Sequence, residues 1–281
     1  MGEIIDGKTI AQEFRNALKC ALEISKKDIA LTILQAGDNP ASNVYVRNKQ
    51  KACEEVGIES KVVKVDTPNE LRSQVAMQSD LCDAMMIQLP LPDEFGDPQQ
   101  YIDLIPPKKD ADCLTTYNLG RLFLGDMSLT PCTPTGIMHL LDIQEIPIKG
   151  KHAVVVGRSD IVGKPVAHML LERDATVTVC HSKTANLADI TRMADILIVA
   201  IGKPNFITAD MVKEGAVVID VGINRMEDGK LCGDVDFDNV KDKASAITPV
   251  PGGVGPMTVA ELLANTISCH VLNCEIDITE E

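Results

Sequence analysis

"VVVGRSDIVGKP", residues 154–165, decides how this chain is read. A β-branched run ends at Gly157 and a helical pattern opens at Gly163, so the segment reads as strand, tight turn and helix. In dinucleotide-binding βαβ units the first glycine permits the turn, and the helix N-terminus faces a pyrophosphate. The loop here is one residue longer than G-x-G-x-x-G, and Arg158 directly follows the first glycine. A structural turn with no ligand is the competing reading. The discriminating position lies about 20 residues on, at the end of the next strand, where NAD-specific units carry an Asp or Glu for the ribose 2′-hydroxyl. That strand ends "VCHSKT", residues 179–184, without a carboxylate. The Ser182 hydroxyl and the permanently charged fork of Arg158 suit a 2′-phosphate instead, which points to NADP.

Outward from this turn the chain alternates helix and strand, as α/β proteins with largely parallel sheets do. Downstream, "HAVVVG", "ATVTVCH", "DILIVAIG" and "AVVIDVG" read as strands apolar on both faces. Upstream, helices are expected over 7–25, 41–57 and 69–79, and strands over 29–37, 60–66 and 83–92. A proline-bounded turn and helix in "TPCTPTGIMHLLD", 130–142, mark the crossover between two domains. The expected division is an N-terminal catalytic domain, 1–138, joined by a returning C-terminal helix, 257–281, and a nucleotide-binding domain, 139–256. The last amphipathic helix is read over 259–272.

In "SNVYVRNKQKACEEVG", residues 42–57, Ser42 is expected at the N-cap and Gly57 at C′. At 100° per residue, Tyr45, Lys49, Ala52, Cys53 and Val56 share one stripe, whereas Arg47, Lys51 and Glu54 face the other way. Lys49 therefore points inward with the apolar set, unless its stem snorkels to water. An amine held away from water loses its preference for the charged form and becomes usable as a base. Tyr45, one turn earlier, lies beside it. "MMIQLPLP" puts Gln88 at the carboxyl end of a buried strand, where α/β sheets bind ligands or simply end on a polar residue. "TPVPGGVGPMT", 248–258, is too rich in Gly and Pro for regular structure; it reads as a loop whose backbone can approach a ligand, or as a linker.

Composition removes other classes. The 281 residues are 45% hydrophobic and carry a net charge of −14, which opposes binding to a phosphate backbone. The longest apolar run, 196–201, is far short of the roughly 18 residues that span a bilayer. No signal segment is read at the start, and a cytoplasmic location is expected. The nine cysteines are odd in number, scattered and without a C-x-x-C pair, so neither a disulfide framework nor a metal site is expected.

Taken together, "GDNPASNVYVRNKQKACEEVGI", "IQLPLP", "KKDADCLT", "LTPCTPTG", "VVVGRSDIVGKPVAHMLL", "CHSKT", "VVIDVGIN", "GDVDF" and "ITPVPGGVGPMTVAELL" resemble the bifunctional methylenetetrahydrofolate dehydrogenase/cyclohydrolase (FolD) family, in family order over nearly the whole chain. The resemblance implies a homodimer of two-domain subunits, with a Rossmann-type NADP-binding domain and a folate in the cleft. It assigns Lys49 as the catalytic lysine, Tyr45 as the ring-stacking tyrosine, Gln88 as the partner of Lys49 and Asp112 as the pterin-binding aspartate. For NADP it assigns Gly157, Arg158 and Ser159, then Ser182 and Ile223. Pro251, Gly252, Gly253, Val254 and Gly255 match the loop beside folate and nicotinamide. One departure is visible: the family aspartate is usually followed by glycine, and here Cys113 follows Asp112. If that position needs positive φ, the cysteine strains the turn.

The activity so implied is NADP-dependent oxidation of 5,10-methylenetetrahydrofolate to the methenyl form, followed by hydrolysis to 10-formyltetrahydrofolate. Two other readings compete. An NADP-dependent dehydrogenase of an amino or hydroxy acid calls for a His–Asp pair or an arginine clamp in the first domain, and none stands out. A non-catalytic NADP-sensing module calls for a solvent-facing Lys49.

Overall fold

The computed structural model describes residues 2–274; positions 275–281 of the expected returning segment lie outside the described residues. In chain order the strands are β1 (Glu3–Ile4), β2 (Ala30–Ala36), β3 (Glu59–Val65), β4 (Ala84–Gln88), β5 (His152–Val156), β6 (Thr176–Cys180), β7 (Ile196–Val199), β8 (Val217–Asp220), β9 (Asn224–Arg225), β10 (Leu231–Cys232) and β11 (Ala246–Ile247). Among the described residues the chain forms two compact units, one of residues 12–132 with 259–274, the other of 2–11 with 133–258.

The first unit is built on a parallel sheet of order β3-β2-β4. Side chains alternate between its faces with the period-2 pleat. Leu31, Ile33, Ala84 and Met86 join one core with Ala52, Cys53 and Val56 of helix Pro40–Val56 and with Leu262, Leu263 and Cys269 of helix Val254–Cys274. Leu34, Met85 and Ile87 enter a second core under Leu71 and Val75 of helix Pro68–Ser79. The C-terminal helix thus supplies core side chains here. Burying a leucine of this kind stabilises by about 1.5–3 kcal/mol.

The second unit carries a six-stranded sheet of order β1-β11-β8-β7-β5-β6, with every pairing parallel. Because β5 has β6 on one side and β7 on the other, the order in which strands are added reverses at β5 while all strands stay parallel, and the crevice expected at such a switch point lies beyond the carboxyl ends of β5 and β7. Strands β5, β7 and β8 are buried almost throughout, as apolar runs require. Strand β6 departs from the expectation of two apolar faces. It is the sheet edge, and only Cys180 of its five residues is fully buried. Its threonines suit that half-exposed position.

Two local expectations are also corrected. Helix Pro40–Val56 begins before Ser42, so Ser42 is not its N-cap; its Oγ is buried without a hydrogen-bond partner among the described residues. The last helix begins at Val254 rather than 259, so only Pro249–Gly253 remain as turn and Pro256 sits in the first helical turn, where a missing N–H costs nothing. Gly57 ends its helix as expected, at φ +94° with the Gly57 and Ile58 N–H groups both on Cys53 O at 2.9 Å.

Candidate active site

Gly157 leaves β5 at φ +135°, and a Cβ there would lie 2.3 Å from Ala200 O. Gly163 is needed for the same reason from the other side, since its Cβ would lie 2.4 Å from Gly157 O. The two glycines let three backbone segments pass at contact distance. The Ser159 hydroxyl accepts from the Val162 and Gly163 N–H groups at 3.2 and 3.3 Å, which fixes the turn at the start of helix Gly163–Glu172. That terminus is the positive end of the helix dipole. Gly157, Arg158 and Ser159 are the residues that would hold a pyrophosphate at this helix N-terminus.

The strand register relates Arg158 and Ser182, the two residues expected at a 2′-phosphate. Val156 pairs with Cys180, so Arg158 and Ser182 each stand two residues beyond paired positions at the carboxyl edge. Both are exposed, and no side chain among the described residues pairs with the Arg158 guanidinium. The Ser182 turn is held by His181 N–H on Thr184 Oγ1 at 2.8 Å and by Lys183 N–H on His181 Nδ1 at 3.1 Å. Ile223 follows β8 and is 41% exposed; a Cβ on Gly255 would touch its Cδ1 at 3.4 Å. The glycine-rich turn before Val254 is braced from the N-terminus, with Lys8 N–H on Gly252 O at 2.9 Å. A Cβ on Gly7 would stand 2.0 Å from Gly253 O.

In the other unit the stripe of helix Pro40–Val56 is buried from Lys49 onward. Lys49 is 7% exposed, and its Nζ donates to Gln88 Oε1 at 3.1 Å and lies 3.3 Å from Met86 Sδ. Both of these partners are neutral. The Gln88 amide is itself oriented, since Nε2 donates to Leu89 O at 2.6 Å and leaves Oε1 toward the lysine. Tyr45, one turn before Lys49, is 38% exposed. It presents its ring at the rim of the stripe rather than in the core.

The two aspartates of "KKDADCLT" have different roles. Asp110 is 1% exposed and accepts from Thr115 N–H at 2.8 Å and Asn118 Nδ2 at 3.0 Å; burial outweighs these bonds and pushes its carboxyl above the usual range. It organises the loop. Asp112 is half-buried and has no hydrogen-bond partner among the described residues. Asp112 and Lys49 belong to the same compact unit. Cys113, between loop and core, has φ +56° and is fully buried, so the departure from glycine does impose a left-handed residue with a side chain. Asn265 of the C-terminal helix clamps this region, its Nδ2 donating to Ala111 O at 2.9 Å and Thr130 O at 2.8 Å.

Sequence reasoning overlooked four residues here. Asn265 gave no signal, and Asp110 was hidden by its neighbour. Asp220 and Asp234, both buried, were legible only as acids in otherwise apolar surroundings, "VVID" and "GDVDF".

A parallel sheet with a glycine turn at its switch point, together with a second α/β unit holding a buried lysine and amide, defines a two-unit enzyme of the dinucleotide-binding class. The models of the tetrahydrofolate dehydrogenase/cyclohydrolase family match the chain in two pieces, the catalytic domain over residues 5–112 and the NAD(P)-binding domain over residues 131–273. The Bifunctional protein FolD of Nitrosospira multiformis is 52% identical over 273 residues, covering 94% of this chain and 94% of that protein. The crystal structure of the bifunctional FolD methylenetetrahydrofolate dehydrogenase/cyclohydrolase from Campylobacter jejuni superposes with a TM-score of 0.93 at 46% identity, covering 97% of this chain and 100% of that one. The Trypanosoma brucei FolD, solved with NADP cofactor and inhibitor, gives a TM-score of 0.93 at 36% identity over 97% and 98% of the two chains. The chain belongs to the tetrahydrofolate dehydrogenase/cyclohydrolase family.

Proposed function

We propose that this chain oxidises 5,10-methylenetetrahydrofolate to the 5,10-methenyl form with NADP and hydrolyses that product to 10-formyltetrahydrofolate. The observation that carries the reading is the buried Lys49 amine held by Gln88, in a family whose members combine a catalytic and an NAD(P)-binding domain. NADP, when bound, supplies the hydride acceptor. Gly157, Arg158, Ser159, Ser182 and Ile223 bind it, and Pro251–Gly255 border its reactive end. Hydride loss needs no acid or base from the protein, because the folate nitrogens stabilise the developing cation; orientation of the substrate by Tyr45 and Asp112 does the work.

Hydrolysis is different. Water adds to the amidinium carbon, the bond from that carbon to N5 breaks, and one proton is left over. Lys49 Nζ accepts the proton from the attacking water, and Gln88 aims the amine without adding a charge beside a cationic substrate. Asp112 accepts hydrogen bonds from the pterin amino and ring N–H groups. The same reading includes a homodimer and a cytoplasmic enzyme; the nine cysteines, all free thiols, accord with a reducing compartment.

One preparation tests it. Mixing with methylenetetrahydrofolate and NADP should give methenyl absorbance and NADPH, and methenyltetrahydrofolate alone should disappear faster than its spontaneous rate. Failure of either reaction overturns that half of the assignment. Light scattering of the purified chain checks the dimer.

A further inference from the structure

Two buried acids of the nucleotide-binding unit interlock. Asp234 is fully buried, and its carboxylate accepts four N–H donors. Oδ2 takes Ile201 N–H at 2.7 Å and Gly202 N–H at 2.9 Å, and Oδ1 takes Lys203 N–H at 2.7 Å and Asn224 Nδ2 at 2.9 Å. No cation pairs with it among the described residues. Burying a carboxylate without a counter-ion is costly unless its lone pairs are filled, so the three successive amides must be held in one arrangement to keep it there.

Asp220, 3% exposed at the end of β8, holds the backbone of Asp234 in turn. Its carboxylate accepts the N–H groups of Asp234 and Val235, both at 2.9 Å, and of Gly222 at 3.1 Å. The fit leaves no room for side chains, since a Cβ on Gly222 would stand 2.2 Å from Asp234 Cγ and one on Gly233 1.8 Å from Asp220 Oδ2.

Both segments that Asp234 gathers border the dinucleotide crevice. Residues 200–203 leave β7 at the switch point, where Ala200 N–H donates to Val156 O at 2.8 Å and Ala200 O closes on the Gly157 turn. Asn224 adjoins Ile223 beyond β8. We propose that Asp234 is a positioning residue of the nucleotide site, one carboxylate that ties the 201–203 turn to the Ile223–Asn224 segment and so sets the width of the crevice. It touches no nucleotide itself; it acts through the backbone of both walls. The proposal rests on the assignment of NADP to the Gly157 turn.

The test is Asp234→Asn in the full chain. The substitution keeps size but sets an NH2 group against N–H donors whichever way the amide is turned. Calorimetric titration should give an NADP Kd raised about tenfold or more, the scale of a lost charge-assisted bond. The KM for NADP should rise with it while kcat at saturating NADP stays near the parent value. Hydrolysis of methenyltetrahydrofolate, which needs no nucleotide, should stay within about twofold of the parent, the selectivity that a merely structural role would not show. An NADP Kd within twofold of the parent overturns the proposal, as does an equal loss of hydrolysis and NADP binding. If Asp234→Asn does not fold, Gly202→Ala decides: φ there is +63° with open space around the Cβ, so the methyl strains the same turn without a clash. A raised Kd with intact hydrolysis supports the role, and an unchanged Kd removes it. If the parent itself fails to bind NADP, the reading of the Gly157 turn falls instead.

Discussion

Where the chain leaves β5 at Gly157, the working surface is backbone: two glycines bring main chain within contact of main chain, and the named side chains Arg158 and Ser182 stand exposed at the edge. At Lys49 the relation is inverted. Helix and strand there are regular, and the working groups are side chains, buried and bonded to each other across 39 residues of sequence. The two proposed tasks account for the difference. A large anionic ligand is held by amides that reach it, which requires missing side chains, and its peripheral phosphate can meet an arginine in water. A proton acceptor has to be kept from water and from opposite charge, which requires a packed site with neutral partners.

This contrast can be broken most sharply at Lys49. Lys49→Met keeps the apolar bulk and removes the amine, so hydrolysis should fall by about 10²-fold or more, the scale of one general acid–base group. Hydride transfer should lose less, and methenyltetrahydrofolate should accumulate. Hydrolysis within about threefold of the parent, under 1 kcal/mol in barrier, would show that burial there serves packing alone.

Asp112→Ala comes next. Its unpartnered carboxylate should be free to bind the pterin, and its loss should raise the folate KM about tenfold or more. NADP titration of the variant should be unchanged, because Asp112 belongs to the other unit. Undiminished folate affinity would reject the role. A smaller effect is expected for Arg158→Ala, since an exposed charge is screened: NADP should weaken by about tenfold or less at moderate salt, with NAD hardly affected. Equal catalytic efficiency of the parent with both nucleotides would contradict the reading of this edge.

A different effect concerns pH and stability. Asp220 is pushed up to about 7, first by burial and further by the neighbouring Asp234 charge, against three N–H groups that favour ionisation. A raised carboxyl binds more protons folded than unfolded between about pH 4 and 7. Its contribution to stability is therefore complete below about pH 4, falls as pH rises through that window, and is flat above it. Compared with Asp220→Asn, the parent should lose up to about 1 kcal/mol more per pH unit between pH 5 and 7, measured by urea unfolding. Parallel slopes would remove this term.

How far the sequence could be read depended on the range of the forces involved. The stripe of helix Pro40–Val56 was legible because a 3.6-residue period is a property of neighbouring residues, and Lys49 lies on its buried side. Tyr45 shared the stripe by angle but sits at its exposed end, because a period gives direction and not depth. The turn glycines were legible for a similar reason, since strand, turn and helix follow one another in twelve residues of sequence. The positive φ asked of Cys113 was inferred from the family departure and is what the loop adopts.

What the sequence alone determined is thus the class of the chain: alternating elements, an inward lysine, a glycine turn without a following acid, and the family motifs in order. Only the tertiary structure decided which strand became the edge, which aspartate of "KKDADCLT" is spent on its own loop, and that Asp234 gathers amides from 33 residues upstream. Propensity and period act within a few residues, whereas the partner of a buried polar group is chosen by the whole fold. A buried carboxylate has to be satisfied by whatever donors packing brings to it, and no local pattern records which ones those are.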